Sequence, residues 1–312
     1  MKTIDIEQPL IFTIGQNLRG LLVEMRPQEW TKNLLVFSGV IFSRSLTDIN
    51  NLWISLAGFA IFCAASSCIY LLNDLCDLQA DREHPVKRNR PLASGVLNIH
   101  VARIALFALF LTAAIGSFAL NRSFAFVVSV YLLICIAYSL KLKDVVILDV
   151  ILIAGGFVLR AISGAVLIGV APSEWLVLCT SMVALLIGFG KRRHEIVLLE
   201  ENAQNHRRSL SDYSIEFLNS IMNICAGSAL VTYALYTRAD ETVARVGSNG
   251  MLLTIPFVVY GIFRYLFLIY KRSAGGDPVQ ILIHDRPTLL NLLLWIVTVG
   301  LVIYLPRFWH LG

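Results

Sequence analysis

LWISLAGFAIFCAASSCIYLLNDLCDLQAD, the stretch at residues 52–81, decides the fold. Its first 21 residues, 52–72, contain no charged side chain. About 18 or more uncharged, mainly apolar residues in a row are typical of a transmembrane helix. Polar residues follow this run directly, at Asn73, Asp74, Asp77 and Asp81. The stretch therefore predicts a membrane-spanning helix that carries acids at the point where it leaves the membrane.

Apolar runs of similar length recur along the whole chain. The run at 217–236 has 20 uncharged residues, and the run at 288–305 has 18. Charged residues make up only 15% of the chain, against about a quarter in an ordinary soluble domain, and the mean hydropathy is +0.71. These values exclude a soluble domain and predict an all-α integral membrane protein. Further spans are predicted at 104–120, 123–140, 145–170, 175–190 and 251–270.

The distribution of basic residues predicts the topology. Residues 30–42 are apolar but short, and counting them as a span gives nine transmembrane helices rather than eight. With nine, the amino terminus and alternate loops carry 18 Lys and Arg residues and the opposite side carries five. Because positive charge is retained in the cytoplasm, we expect these loops to face the cytoplasm of an inner (cytoplasmic) membrane.

Residues 1–312 are predicted to form a single polytopic membrane domain without a separate soluble part. Its chemistry must then come from helix ends and cytoplasmic loops. We expect the membrane and small anions, and no nucleic acid, as partners. The loops predicted to build the site are at about 73–98, 138–149, 190–214 and 271–287.

The acids at the end of the 52–81 stretch suit a divalent cation. A continuous helix of 30 residues is about 45 Å long, whereas the hydrocarbon layer is about 30 Å thick. Its last turns would project into the cytoplasm with Asn73, Asp77 and Asp81 in one stripe and Asp74 beside it. Like charges at this spacing repel, and a bound Mg²⁺, which prefers oxygen ligands, would remove the repulsion.

A basic loop follows the acids directly. It contains Lys87, Arg88 and Arg90. Carboxylates that hold a metal ion, next to Lys and Arg, form a site for a polyanion such as a diphosphate. The simpler interpretation is that the acids are solvated at a helix end and the bases follow the positive-inside rule, but the dense single stripe favours a site.

Other charged residues further along the chain are weaker candidates. Lys143 lies in the next cytoplasmic turn, and Asp149 follows about one turn inside a span. Arg160 lies three turns further along, and an ionisable residue within the membrane is a site hypothesis, although the two could instead form structural ion pairs. A dense patch at 191–195 contains Lys191, Arg192 and Glu195.

The pattern Asn73-Asp74-x-x-Asp77-x-x-x-Asp81, followed by Lys87, Arg88 and Arg90-Pro91, resembles the first signature of the UbiA superfamily of membrane prenyltransferases. Within it, three patterns resemble the polyprenyl-phosphate phosphoribosyltransferases: Arg26-Pro27-x-x-Trp30-x-Lys32-Asn33, Gly190-Lys191-Arg192-x-x-Glu195 and Arg208-Ser209-Leu210-x-x-Tyr213. The late segment Gly276-Asp277-Pro278 with Asp285-Arg286 also fits. The resemblance covers nearly the whole chain.

The resemblance implies nine helices around a central cavity open to the cytoplasm. It also implies Mg²⁺-dependent transfer of a phosphoribosyl group from phosphoribosyl pyrophosphate (PRPP) to a polyprenyl phosphate such as decaprenyl phosphate. The implied metal ligands are Asn73, Asp74, Asp77 and Asp81. The implied catalytic residues are Asp74, Asp77, Lys143 and Asp149. The implied substrate-binding residues are Lys32, Asn33, Asn73, Asp81, Lys87, Arg88, Arg90, Tyr138, Arg160, Lys191, Arg192, Glu195 and Arg208.

The sequence departs from the family at one point and leaves two other functions open. Prenyl-transferring members have a second motif with three residues between its acids, whereas Asp144 and Asp149 have four between them. The departure favours a clamp made mainly of Lys and Arg over a second metal. One alternative is a prenyltransferase that uses a polyprenyl diphosphate and an aromatic or other small acceptor. The other is a transporter in which Asp149 and Arg160 line a path.

Overall fold

The computed structural model describes residues 14–201, 212–272 and 284–305, and every regular element in these ranges is helical. The predicted all-α class is therefore confirmed. The α-helices, numbered in chain order, are α1 (Ile14–Glu24), α2 (Ser38–Phe42), α3 (Ile49–Cys76), α4 (Leu78–Glu83), α5 (Ile99–Leu120), α6 (Arg122–Leu140), α7 (Leu148–Leu167), α8 (Glu174–Glu201), α9 (Ile215–Arg238), α10 (Asp240–Val246), α11 (Ile255–Arg272) and α12 (Arg286–Tyr304). Short 3₁₀ helices form at Pro27–Phe37, Lys87–Asn89, Leu142–Asp144 and Gly250–Thr254.

Eight helices in the described ranges are long and apolar enough to cross a membrane, and each matches a span predicted from the sequence. The short segment at 30–42 has a different form. It lies within the 3₁₀ helix Pro27–Phe37 and the five-residue helix α2. A ninth crossing and an opening to the cytoplasm stay predictions.

The prediction of one continuous helix through residue 81 is wrong. Helix α3 ends at Cys76, and Asp77 adopts φ −92° and ψ 8° before α4 begins at Leu78. Asp side chains compete with helical backbone geometry, and the Asp77 carboxylate here contacts a lysine from another loop. The change of direction is small, since the Asp77 N–H still donates to the Asn73 carbonyl at 2.9 Å and the Asp81 N–H to the Asp77 carbonyl at 2.8 Å.

Helices α3 and α7 occupy the centre of the bundle, whereas α5 and α12 lie at its periphery. About half of the spanning part of α3 and of α7 is buried, against 17% for α5 and 11% for α12. One hydrophobic cluster joins α3, α5, α6 and α7, and a second joins α7, α8, α9 and α11. Helix α7 therefore links the two halves of the bundle.

Two glycines bring α7 against the amino-terminal segment. A methyl group on Gly164 would lie 1.9 Å from the Val36 carbonyl oxygen, and one on Gly39 would lie 2.2 Å from the Gly164 carbonyl carbon. Only glycine permits this approach, as is common where membrane helices pack closely. The contact places the 3₁₀ helix Pro27–Phe37, and with it the residues just before it, beside α7.

Side-chain caps define where several helices begin. These side chains accept hydrogen bonds from backbone N–H groups of the first turn, which otherwise have no partner within the helix. The capping residues are Asp48, Asn98, Asn121, Ser214 and Asp285.

Candidate active site

Asp74, the first acid after the apolar run, is buried between two arginines. Arg26 Nη2 donates to both carboxylate oxygens, at 2.7 and 2.8 Å. Arg90 Nη1 donates to Oδ1 at 2.9 Å. Charge-assisted hydrogen bonds of this kind are among the stronger contacts in proteins. They tie the end of α3 to the amino-terminal segment and to the basic loop.

Asp81 in α4 shares a cation with Asp74. Arg90 Nη1 also donates to Asp81 Oδ2 at 2.6 Å, and Lys87 Nζ lies 3.8 Å from Asp81 Oδ1. Asp81 is 3% exposed, whereas the Lys87 side chain is 43% exposed. The structure thus brings the predicted acids and the predicted basic loop into direct contact, and Arg88 lies exposed in the same loop.

Asp77 faces a third element. Lys143 Nζ lies 2.9 Å from Asp77 Oδ1 and 3.2 Å from Oδ2. Lys143 belongs to the 3₁₀ helix Leu142–Asp144, in the turn between α6 and α7. The Asp77 side chain is one-third exposed, so it is the most accessible of the three acids.

Arg26 is a site residue that the sequence analysis quoted in a motif but did not assign. Its backbone is left-handed, with φ 52° and ψ 63°, immediately before Pro27. A non-glycine residue in this region is uncommon and strained. Its guanidinium lies 4.9 Å from the centre of the Tyr70 ring and binds Asp74. The Arg-Pro pair gave no signal for this conformation, because a proline biases the residue before it toward extended backbone.

Glu24 is a second residue that the sequence analysis missed. It is 2% exposed, and its Oε1 accepts a hydrogen bond from the Leu92 N–H at 2.8 Å. Burial, followed by the hydrogen bond with Asp74, raises the pKa of Glu24 to about 7. Glu24 thereby ties the basic loop to α1. No local sequence signal distinguishes it from an ordinary glutamate at the end of a short helix.

Asp149 lies in a closed polar cluster at the start of α7. It is fully buried, with Oδ2 2.8 Å from Arg192 Nε and Oδ1 accepting from the Tyr213 hydroxyl at 2.9 Å. Arg192, itself 1% exposed, also pairs with Glu195 and donates to the Tyr138 hydroxyl at 3.5 Å. The structure therefore joins four of the predicted site residues, and Tyr213 is an addition.

Arg160 and Asp149 do not contact each other, although both lie on α7. Arg160 Nε donates to Asn33 Oδ1 at 2.7 Å, and Nη2 donates to the Tyr131 hydroxyl at 2.7 Å. Asn33, fully buried, donates in turn to Ser66 Oγ at 3.2 Å. This network joins the 3₁₀ helix Pro27–Phe37 to α3, α6 and α7 in the interior of the bundle.

The remaining predicted residues have separate surroundings. Lys32 pairs with Glu29 one turn before it, and the charges of both act on Lys191, which lies inside α8 because that helix continues to Glu201. Arg208, as well as parts of the predicted loops 190–214 and 271–287, lies outside the described residues.

The fit of a magnesium ion to the acids can be judged from their oxygen atoms. Within the described ranges, no group of three or more His, Cys, Asp or Glu side chains has the arrangement of a metal centre, and Asp74, Asp77 and Asp81 are held by basic side chains instead. Asn73 Oδ1, however, is buried and has no hydrogen-bond partner among those residues. Mg²⁺ prefers oxygen ligands such as carboxylates and an amide oxygen that has no other partner. The residues therefore suit the ion, provided that the Arg and Lys side chains move away from the carboxylates.

Comparisons with known proteins agree with this picture. The sequence profile of the UbiA prenyltransferase family matches residues 34–284. The chain is 33% identical to decaprenyl-phosphate phosphoribosyltransferase of Mycolicibacterium smegmatis, covering 91% of this chain and 92% of that protein. It is 32% identical to the protein of the same name from Corynebacterium glutamicum, covering 93% and 88%. A solved UbiA homologue from Archaeoglobus fulgidus, bound to GPP and Mg²⁺, has a TM-score of 0.68 at 18% identity, covering 91% of this chain and 99% of that one; it shows the fold.

Eight long apolar helices in the described ranges define an integral membrane protein, and the acids at 74–81 contact bases from three other segments of the chain. The family match and the two relatives then identify the protein family. The chain belongs to the UbiA prenyltransferase family and is an enzyme of the transferase class. Membership in a transferase family argues against the transport hypothesis.

Proposed function

We propose that this protein transfers a phosphoribosyl group from PRPP to a polyprenyl phosphate and releases pyrophosphate. The observation that carries the proposal is the convergence of cations from three segments on the acids of α3 and α4. Arg26, Arg90 and Lys143 each contact one or two of these acids. The identity of 33% and 32% to two proteins named decaprenyl-phosphate phosphoribosyltransferase supports the choice of substrates.

The number of cations suits these substrates better than a single diphosphate. PRPP carries a 5-phosphate in addition to its diphosphate, and the lipid acceptor brings a further phosphate. The contacting cations are between 16% and 43% exposed. Asp77 is the one of these acids that is partly exposed, at 33%, and because partly exposed ion pairs contribute little net stability, Lys143 can exchange Asp77 for a phosphate at low cost.

Asn73, Asp74, Asp77 and Asp81 would hold Mg²⁺. When bound, the ion would neutralise charge that develops on the leaving pyrophosphate. The solved homologue that contains Mg²⁺ supports the use of a divalent ion in this family.

The protein's own cations have the complementary task. Arg90 and Lys143 would bind phosphate oxygens and stabilise the charge of the leaving group as the anomeric carbon becomes oxocarbenium-like. The attacking phosphate oxygen of the lipid is already ionised near neutral pH, given a second pKa of about 6. No general base is needed, and direct displacement predicts inversion at the anomeric carbon.

An apolar cavity offers room for an isoprenoid chain. A cavity of about 350 Å³ lies between α8, α11 and α12 and is lined by residues that include Ile187, Tyr265 and Trp295. Ile187 is one helical turn from Lys191. The lipid phosphate would lie at the cytoplasmic end of the bundle, with the site facing the cytoplasm of the inner membrane, as the positive charge of these loops supports.

Labelled substrates test the proposal. Vesicles containing the protein, PRPP labelled in the ribose, polyprenyl phosphate and Mg²⁺ should produce labelled lipid, and chelation of the metal should stop the reaction. Asp77→Asn should lose the activity, whereas Asp240→Asn, an exposed acid at the start of α10, should retain it. Absence of label in the lipid with the unmodified protein would contradict the proposal.

A second candidate is transfer of a polyprenyl group from its diphosphate to an aromatic or other small acceptor. The same apolar cavity favours it, because either lipid presents an isoprenoid chain. This reaction would use the same magnesium ligands but fewer cations. Parallel vesicles with labelled polyprenyl diphosphate distinguish the two candidates, since only this reaction consumes that lipid.

A further inference from the structure

The turn between α6 and α7 contains a strained residue. Ile147 has φ +68° and ψ −46°, a region that β-branched residues almost never occupy. Its side chain is 41% exposed, so side-chain packing does not enforce the conformation. A strained backbone persists only where other contacts hold it.

The hydroxyl of Tyr213 supplies such a contact. It accepts a hydrogen bond from the Ile147 N–H at 2.6 Å and donates to Asp149 Oδ1 at 2.9 Å. Tyr213 is 6% exposed and its ring stacks on Phe217. Burial raises the pKa of the phenol, so the hydroxyl keeps its proton and can donate to the carboxylate.

The other end of this turn reaches the acids of α3. Lys143, four residues before Ile147, contacts both oxygens of Asp77. Asp149, two residues after Ile147, is anchored to α8 through Arg192. The Tyr213 hydroxyl therefore links the turn that carries Lys143 to the buried cluster around Asp149.

We propose that Tyr213 is a positioning residue, whose hydroxyl holds the strained turn at Ile147 so that Lys143 is presented to Asp77 and to the diphosphate bound there. This inference rests on the proposed function for the identity of the diphosphate. It assigns Asp149 a part in the same task, because its Oδ1 accepts from the Tyr213 hydroxyl and its Oδ2 lies 2.8 Å from Arg192 Nε as an ion pair. Tyr213 itself does not touch substrate in this role.

Rescue by glycine tests the inference. Tyr213→Phe keeps the ring and removes the hydroxyl, and it should raise the KM for PRPP about tenfold with a smaller change in kcat. Glycine adopts positive φ without strain, so the double variant Tyr213→Phe/Ile147→Gly should recover most of the affinity. Tyr304→Phe is the matched control, since that hydroxyl also bonds to backbone, at the Ile41 carbonyl, in a region distant from the acids. It should behave like the unmodified protein.

The outcomes separate this inference from the proposed function. A KM for Tyr213→Phe within twofold of the unmodified protein would overturn it, and so would a double variant that folds normally without recovery. Amide hydrogen exchange over residues 141–149 needs no substrate. Exchange there should rise in Tyr213→Phe and not in Tyr304→Phe, and unchanged exchange would overturn the inference. If the unmodified protein transfers no label from PRPP, the proposed function fails, and the exchange experiment still decides the role of Tyr213.

Discussion

Two polar regions of this molecule contain the same residue types in opposite settings. The outer region consists of Asp74, Asp77 and Asp81 with the cations that contact them, and its cations are partly exposed. The inner region is the cluster around Asp149 and Arg192, whose side chains are 0% and 2% exposed. In the outer region the carboxylates share cations from separate segments. The inner pair is instead shielded from solvent, and its side chains contact the hydroxyls of Tyr213 and Tyr138.

The difference suggests a division of labour. Exposed ion pairs are worth little and exchange easily, while a buried pair is costly to break because the remaining charge has no solvent. We infer that Asp77 and Lys143, the accessible pair of the outer region, exchange partners when substrates bind and that the inner region keeps the turn and α8 in place. Each prediction below tests one side of this contrast.

The largest effect is expected for Asp77→Asn. Removing this carboxylate charge takes the ion-pair partner from Lys143 and a ligand from the proposed magnesium ion. The rate of phosphoribosyl transfer should therefore fall about 10³-fold. Initial rates of lipid labelling measure the loss. Thermal unfolding in detergent should change little, because the outer pair is exposed; a large loss of stability would erase the distinction between the two regions.

The inner pair should show the reverse pattern. Asp149→Asn leaves the Arg192 guanidinium buried without a carboxylate at its Nε, which should lower the free energy of unfolding by about 3 kcal/mol. Adding Arg192→Gln should restore part of that stability, since no fully buried charge is then left without a partner; Glu195, which loses Arg192, is 29% exposed to solvent. Unfolding curves for the single and double variants give the answer, and equal stability of Asp149→Asn and the unmodified protein would be incompatible with a closed cluster.

Arg26→Lys tests the geometry of the outer region. A lysine keeps the charge but not the guanidinium fork that binds both oxygens of Asp74. The KM for PRPP should rise about tenfold. Arg44→Lys is a matched control, since Arg44 also has a positive φ, of 61°, but belongs to the segment between α2 and α3. Similar kinetics for the two variants would argue that charge alone matters at position 26.

The smallest effect concerns pH and Glu24. Its folded pKa, about 7, lies above the ordinary value of 4.5. The folded state therefore holds a proton that the unfolded state releases, so this stabilisation is complete below about pH 4.5 and is lost as pH rises through 7. Glu24→Gln should not lose stability in this way. The difference between its melting temperature and that of the unmodified protein should therefore increase from pH 5 to pH 8. A constant difference over that range would show that Glu24 does not titrate in this way.

Much of the fold follows from the sequence, because membrane helices are specified by local composition. Each of the eight predicted apolar segments forms a helix, and seven match their predicted ends within about five residues. The exception is the span predicted at 175–190, whose helix continues to Glu201, so the start of the loop predicted at 190–214 is helical instead. The break at Asp77 escaped prediction, since it depends on a contact between Asp77 and Lys143, which are 66 residues apart. The short segment at 30–42, which includes α2, was ambiguous. Its 13 residues could either cross a thin part of the membrane or enter and leave on the same side.

The site was predictable where its residues are neighbours in sequence and not where they meet through folding. The acids of α3 and the basic loop at Lys87 and Arg90 lie within one short stretch, so their chemistry can be read together. Glu24 and Tyr213 gain their roles from distant partners, Leu92 for one and Asp149 for the other. Nothing in the immediate surroundings of Glu24 marks it, and Tyr213 stands out only as the last residue of the pattern at 208–213, which assigns it no role.

The central claim is that the outer acids and cations transfer a phosphoribosyl group to a lipid phosphate. A doubly labelled PRPP, with one isotope in the ribose and another in the 5-phosphate, tests it most directly in vesicles that contain the purified protein. Both labels should enter the lipid in their original ratio, with one pyrophosphate released for each lipid labelled. Retention of both labels in the aqueous phase, while polyprenyl diphosphate is consumed in a parallel reaction, would contradict the claim.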